Sequence, residues 1–301
     1  MSTPFNRLTV SLACLSIAAG LGGGADAQDN ILTLERTPSG HLVIPITINE
    51  TGPYTFLFDT GASHTAIAQP VAESLGFRSE WIDTGDVQSL TTRFEAERFQ
   101  LGRVRFSGGH PIQLNSVVIP VAEGDPQPVD GLLGADAITA RRYEIDFSTG
   151  EVDLGAAAAR FPDGQVNGIG LLLGQAHLQR GVSHINVILD SGSARSIANR
   201  QLARYIRQRS GTVRYNINGV DDDIDVEAIP TYVRRFQIGG LCLDGFWALQ
   251  SDLDVFGSLG WDYQPSLVLG MDVLQFATVT VDRESGRVQI DAASDENACA
   301  R

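Results

Sequence analysis

Two segments place a carboxylate, a hydroxyl and a glycine at the end of an apolar run. They are Phe56-Leu57-Phe58-Asp59-Thr60-Gly61-Ala62-Ser63 and Val187-Ile188-Leu189-Asp190-Ser191-Gly192-Ser193, with their Asp residues 131 positions apart. A single Asp-Xaa-Gly is ordinarily a turn, because Asp and Gly each favour tight connections. Two copies behind matching apolar strands point to chemistry. A carboxylate carried into an apolar interior loses hydration and needs a partner. If Asp59 and Asp190 meet, like charge prevents both from ionising easily, and the pair shares one proton. Such a pair offers a general base and a general acid to one water molecule. Gly61 and Gly192 would let each turn approach its counterpart. Thr60 and Ser191 would tie the two turns together through their hydroxyls.

The surrounding sequence repeats in the same order. Leu132-Leu133-Gly134-Ala135-Asp136 returns as Val268-Leu269-Gly270-Met271-Asp272, and Asp146-Phe147-Ser148-Thr149-Gly150 as Asp282-Arg283-Glu284-Ser285-Gly286, each 136 residues later. Three motifs at nearly constant offset mark a duplicated unit. The division expected is a leader over 1–27, an N-terminal lobe over 28–158 carrying Asp59, and a C-terminal lobe over 159–301 carrying Asp190. Short β-branched and apolar segments at His41–Asn49, Tyr54–Asp59, Val104–Phe106, Val117–Val121, Glu144–Phe147 and Glu151–Leu154 read as strands. A turn is expected at Glu50-Thr51-Gly52-Pro53. Helices are expected only at Ala66–Gly76 and Ile197–Ser210.

Composition narrows the classes. The formal net charge of −14 argues against nucleic acid, which needs a clustered basic face. All 22 basic residues are Arg, and without Lys there is no Schiff base, Ser-Lys dyad or phosphate-loop lysine. The five His are scattered without ligand spacing, so neither a metal nor another cofactor is expected. Arg7, the apolar run Leu8–Gly24 and Ala25-Asp26-Ala27 read as a cleavable secretory signal, implying a periplasmic or secreted protein. A membrane-tethered form stays open. After cleavage Cys242 and Cys299 remain, and an oxidising compartment permits a disulfide between them without requiring it. Trp81, Trp247 and Trp261 read as packing residues, and Asp221-Asp222-Asp223 as a solvated turn. His64 fits a cleft wall and a helix N-terminus equally well.

The Asp-Thr-Gly-Ala-Ser turn, the Leu-Leu-Gly and Val-Leu-Gly strands and the duplication resemble the aspartic protease superfamily, with motifs of the retropepsin-like branch doubled in one chain as in the bilobal pepsin arrangement. The resemblance spans nearly the whole chain after the leader. It implies an all-β fold of two similar barrel-like lobes with few short helices and a cleft between them. It further implies an endopeptidase that binds an extended polypeptide, acts as a monomer and hydrolyses it with water held by Asp59 and Asp190. The supporting residues would be Thr60, Gly61, Ser191, Gly192 and Ser193. Ala62 stands where pepsin-like enzymes carry a hydroxyl, whereas Ser193 keeps one. A hydroxyl donating to a carboxylate favours its charged form, so Asp190 is expected to carry more of the negative charge, with an optimum less acidic than that of pepsin. The flap is expected at Thr84–Arg93, without the tyrosine typical of pepsin-like flaps, and its second-lobe counterpart at Arg214–Asp225. Two other readings remain: a catalytically silent peptide-binding or scaffold module of the same fold, and a glycoside hydrolase built on paired carboxylates.

Overall fold

The computed structural model describes residues 30–76, 81–88, 90, 93–106, 112–119, 129–179, 181–208, 211–217 and 224–299. The leader over 1–27, Val121, Ser210 and the run Asp221–Asp223 lie outside the described residues.

Strands dominate, and they close into two six-stranded barrels of the same connectivity. In the first, Leu42–Ile48 pairs with Thr51–Phe58, which runs parallel to Gly131–Leu133. Ala66–Ala68 lies antiparallel to Gly131–Leu133 and parallel to Ile112–Ile119. Arg93–Phe106 then pairs with Ile112–Ile119 and returns to Leu42–Ile48. The second barrel follows the same circuit through Leu172–Leu178, Ile185–Leu189, Ser266–Leu269, Ile197–Ala198, Leu241–Gln250 and Ile224–Ile238. Phe56, Ile44, Ile46 and Leu101 in the first barrel and Val187, Phe236 and Ile238 in the second are nearly fully buried. The fold class is therefore the expected one: all-β, two barrels, few short helices.

The hairpin of the third repeated motif joins the barrels. Arg142–Asp146 pairs with Glu151–Asp153, and Ala277–Asp282 with Arg287–Ala292. The two hairpins then pair with each other, from Arg142 opposite Asp282 to Asp146 opposite Thr278. Ile31–Thr33 and Gly164–Val166 extend this sheet at its two edges. Both turns use one device. Asp146 Oδ1 accepts from the Ser148 amide at 2.8 Å, Asp282 Oδ1 accepts from the Glu284 amide at 3.1 Å, and Gly150 and Gly286 close the turns at φ 78° and 69°.

Several local expectations change. The helices are shorter, Gln69–Ser74 and Arg200–Ala203. Ala66–Ala68 and Ile197–Ala198 are strands instead, because each is wedged between two barrel neighbours whose ladders satisfy its backbone. Pro70, at the start of the first helix, and the Asn199 side chain, which accepts from the Leu202 amide at 3.0 Å, then set the helix starts. Arg207–Gln208 is also a strand, paired with Thr231–Tyr232. The turn expected over Glu50–Pro53 is made one residue earlier by Asn49 and Glu50, at φ 49° and 69°. A disulfide links Cys242 and Cys299, whose Cα atoms are 4.9 Å apart.

Candidate functional site

Each Asp-Xaa-Gly turn leaves its barrel at the end of a parallel strand pair. The Asp59 amide donates to Leu133 O at 3.0 Å, and the Asp190 amide to Leu269 O at 3.0 Å. The apolar-apolar-Gly strand of each repeat therefore fixes where its aspartate begins. Gly134 and Gly270 are required there by crowding: a Cβ on Gly134 would meet the His64 backbone at 2.5 Å, and one on Gly270 the Arg195 backbone at 2.6 Å.

The two turns are laced together by a reciprocal set of hydrogen bonds. The Thr60 amide donates to Ser191 Oγ at 3.0 Å, and the Ser191 amide to Thr60 Oγ1 at 3.0 Å. Thr60 Oγ1 in turn donates to Leu189 O at 2.8 Å, and Ser191 Oγ to Phe58 O at 2.6 Å. Each hydroxyl thus accepts from one residue of the opposite turn and donates to another. All four bonds are buried, where exchange with water is lost and each counts for more. The set is symmetric under exchange of the barrels, so it aligns the two aspartates as counterparts.

Gly61 and Gly192 sit directly against the opposite carboxyl. A Cβ on Gly61 would lie 2.5 Å from Asp190 Oδ1, and one on Gly192 would lie 2.5 Å from Asp59 Cγ. No side chain fits there. The Gly61 amide donates to Asp59 Oδ1 at 2.8 Å and the Gly192 amide to Asp190 Oδ1 at 2.9 Å. Burial pushes the Asp59 carboxyl above the ordinary carboxylate range, against these backbone donors. Burial pushes Asp190 well above it, and the adjacent Asp59 charge adds to the push. The two groups titrate as a pair, and one shared proton is the state that their proximity favours.

Ser193 departs from its expected role. Its hydroxyl donates to Arg195 O at 2.8 Å, and only its amide reaches Asp190 Oδ1, at 3.2 Å. The bond that would have concentrated negative charge on Asp190 is absent, so the inequality read from Ala62 against Ser193 falls. The expected shift of the optimum loses its basis with it.

A second pair of carboxylates supports the turns from behind. Asp136 Oδ1 accepts from the Thr65 amide at 2.8 Å and from Thr65 Oγ1 at 2.7 Å. Asp272 Oδ1 accepts from the Ser196 amide at 3.0 Å and from Ser196 Oγ at 2.7 Å. Burial pushes both carboxyls up, while the Thr65 and Ser196 donors pull the other way. Both aspartates stand in the second repeated motif, so their recurrence was the signal that could have marked them.

The expected flap region is a hairpin of Trp81–Gln88 with the start of Arg93–Phe106; Ser89, Thr91 and Thr92 lie outside the described residues. Leu90 reaches the second barrel. Its carbonyl accepts from the Val255 amide at 3.2 Å, and its side chain packs on the cluster of Leu171, Leu173, Ile188, Ile197, Leu253 and Val268. The second-lobe hairpin pairs Val213–Ile217 with Ile224–Ala228, its tip outside the described residues. Trp261 packs against the same cluster as Leu90. Trp247, expected as a packing residue, is 49% exposed and meets only the Tyr232 ring in a tilted contact, with centroids 5.1 Å apart, among the ring contacts of the described residues. His64 is exposed, with Nδ1 2.8 Å from Ser63 Oγ.

Residues 44–137 match the sequence model of a family described as aspartyl protease. That stretch holds Asp59 and nearly all of the first barrel. It supports a protease, a hydrolase, at the level of the family, and the two-barrel arrangement is consistent with the bilobal form of such enzymes. No curated protein matches the chain significantly.

Proposed function

We propose that this chain is an exported aspartic endopeptidase in which Asp59 and Asp190 together activate one water molecule. The observation that carries this reading is the reciprocal Thr60–Ser191 lacing, which brings the buried Asp190 and the partly buried Asp59 together, each carboxyl packed on the glycine of the opposite turn. In the half-protonated pair, the ionised carboxylate takes a proton from water as the water oxygen attacks the scissile carbonyl carbon. The protonated partner donates to the carbonyl oxygen, so a neutral gem-diol forms and neither aspartate becomes covalently linked. Breakdown returns a proton to the departing amide nitrogen and restores the shared-proton pair. Burial of the dyad strengthens these interactions because solvent screening is weak there.

The substrate in this reading is an extended polypeptide lying between the barrels under the Trp81–Arg93 hairpin, bound mainly through its backbone. Export is supported by the apolar run Leu8–Gly24, the Ala25-Asp26-Ala27 site and the Cys242–Cys299 disulfide, which suits an oxidising compartment. The chain is proposed to act as a monomer, since both aspartates come from one polypeptide. The test is pepstatin-sensitive cleavage of a denatured protein by the wild type, abolished in Asp59→Asn and in Asp190→Asn. Persistent cleavage in both variants would refute the assignment; peptide binding without cleavage by the wild type would favour the silent module.

A further inference from the structure

The two copies of the third repeated motif differ most sharply at their second position, where Arg283 stands in place of Phe147. Phe147 is fully buried in the core, whereas Arg283 is half-buried and reaches into the other lobe. Its Nη2 donates to Ala135 O, and its guanidinium lies over the Tyr143 ring, 5.8 Å from the centroid. Its Nε is buried with no hydrogen-bond partner among the described residues, a cost that the phenylalanine of the first lobe avoids. The donor to Ala135 O is what the arginine adds.

Ala135 opens the turn behind Asp59. Its amide donates to Ala62 O at 2.9 Å, and the next residue, Asp136, accepts from the Thr65 amide at 2.8 Å. The Ala135–Ala137 turn thus grips the chain after Asp59 at two points. In the second lobe the same grips are made by Met271, whose amide donates to Ser193 O at 2.8 Å, and by Asp272, which accepts from the Ser196 amide. There the chain continues as the helix Met271–Leu274, and Met271 O accepts from the Gln275 amide at 3.3 Å. In the first lobe the backbone leaves the turn already at Ile138, with φ −93° and ψ 105°. Ala135 O therefore loses the partner that a helix would supply, and Arg283 takes that place from the other lobe. Gly170, also of the second lobe, closes on the same residue: a Cβ there would meet Ala135 Cβ at 2.8 Å.

We propose that Arg283 is a positioning residue for Asp59, fixing the Ala135–Ala137 turn from the second lobe and, through Ala62 and Thr65, the loop that carries the first aspartate. This inference rests on the reading of Asp59 and Asp190 as one catalytic pair. The Asp190 loop has its own helix behind it and needs no such arm. The Thr60–Ser191 bonds join the two turns, and Arg283 sets how firmly the first of them sits. A misplacement of about 1 Å can cost about 100-fold in rate, so a partial loosening is expected to cost about 10-fold.

Arg283→Met keeps the reach of the side chain and removes the donor. Its kcat on one peptide is expected to fall about 10-fold with KM within about twofold of wild type, because positioning acts on the transition state. Arg283→Lys returns a donor to Ala135 O and is expected to recover to within about threefold of wild type. Amide hydrogen exchange gives a readout that needs no cleavage. In Arg283→Met the Ala135 and Thr65 amides are expected to exchange about 10-fold faster, while those of Met271 and Ser196 stay within about twofold. One-sided exchange in a protein whose wild type cleaves no peptide would refute the endopeptidase reading and uphold the anchoring of the Asp59 loop. Unchanged kcat, a loss confined to KM, or a deficit that Arg283→Lys does not lessen would overturn this inference alone. Exchange that rises equally in both loops, or in neither, would also overturn it. Should Arg283→Met fail to fold, Arg283→Gln measured by the same two readouts decides in the same way.

Discussion

Thr60→Val tests the lacing directly, because valine keeps the branched shape of threonine and removes only the hydroxyl. That hydroxyl accepts from the Ser191 amide at 3.0 Å and donates to Leu189 O at 2.8 Å. Its loss leaves two buried backbone groups of the opposite turn without this partner. At about 1–3 kcal/mol for each group, the variant is expected to lose about 2–6 kcal/mol of stability. Thr60→Ser restores both bonds and is expected to stay within about 1 kcal/mol of wild type, the lost methyl being the remaining cost. The assay is urea unfolding followed by tryptophan fluorescence, with kcat/KM measured on the same preparations. Ser191→Ala should behave as the mirror image. In the double variant the two losses should fall short of their sum, because each single change already loosens the shared set. A Thr60→Val protein within about 1 kcal/mol of wild type, with full activity, would refute the claim that these bonds hold the barrels in register.

Asp190→Asn bears on the titration of the pair. The folded carboxyl is held well above its ordinary value of 3.8, so the native state binds more protons than the unfolded chain once pH passes that value. Stability therefore falls as pH rises from about 3.8 towards the folded pKa, by up to about 1.4 kcal/mol per pH unit for one group. Asp190→Asn is expected to flatten this slope in unfolding measured from pH 4 to 7, and to be more stable than wild type at neutral pH. Gly192→Ala forces a Cβ to within 2.5 Å of Asp59 Cγ, and displacing that carboxyl is expected to lower kcat/KM by about 100-fold or more. A loss under about threefold would contradict the close packing described for the turn. Replacing Cys242 and Cys299 by Ala opens a loop closed over 57 residues, which chain entropy values at about 4 kcal/mol. A smaller loss in urea unfolding would indicate residual order in the unfolded chain.

How much of this was legible in the sequence depended on whether a feature recurs. The dyad, the glycines and the barrel strands recur, and duplication turned weak tripeptides into symmetry partners. Local propensity misled at Ala66–Ala68 and Ile197–Ala198, whose small and apolar residues suit a helix but whose barrel neighbours impose a strand. The Ser193 hydroxyl illustrates a different limit. Its residue type was visible, but its direction depends on the Arg195 carbonyl, which only the folded loop brings within reach. Leu90 had no signal at all. Its importance comes from Val255 across the cleft, a contact between segments that share no repeat. Asp136 and Asp272 lay in plain view within the second motif, and their role needed the positions of Thr65 and Ser196.

The central claim is that Asp59 and Asp190 act as one unit around a shared proton. It is tested most directly by comparing kcat/KM for Asp59→Asn, Asp190→Asn and the double variant on one peptide. A unit loses its function when either member is removed, so each single variant should fall about as far as the double. Single losses that multiply to give the double, or substantial activity left in either single variant, would contradict it.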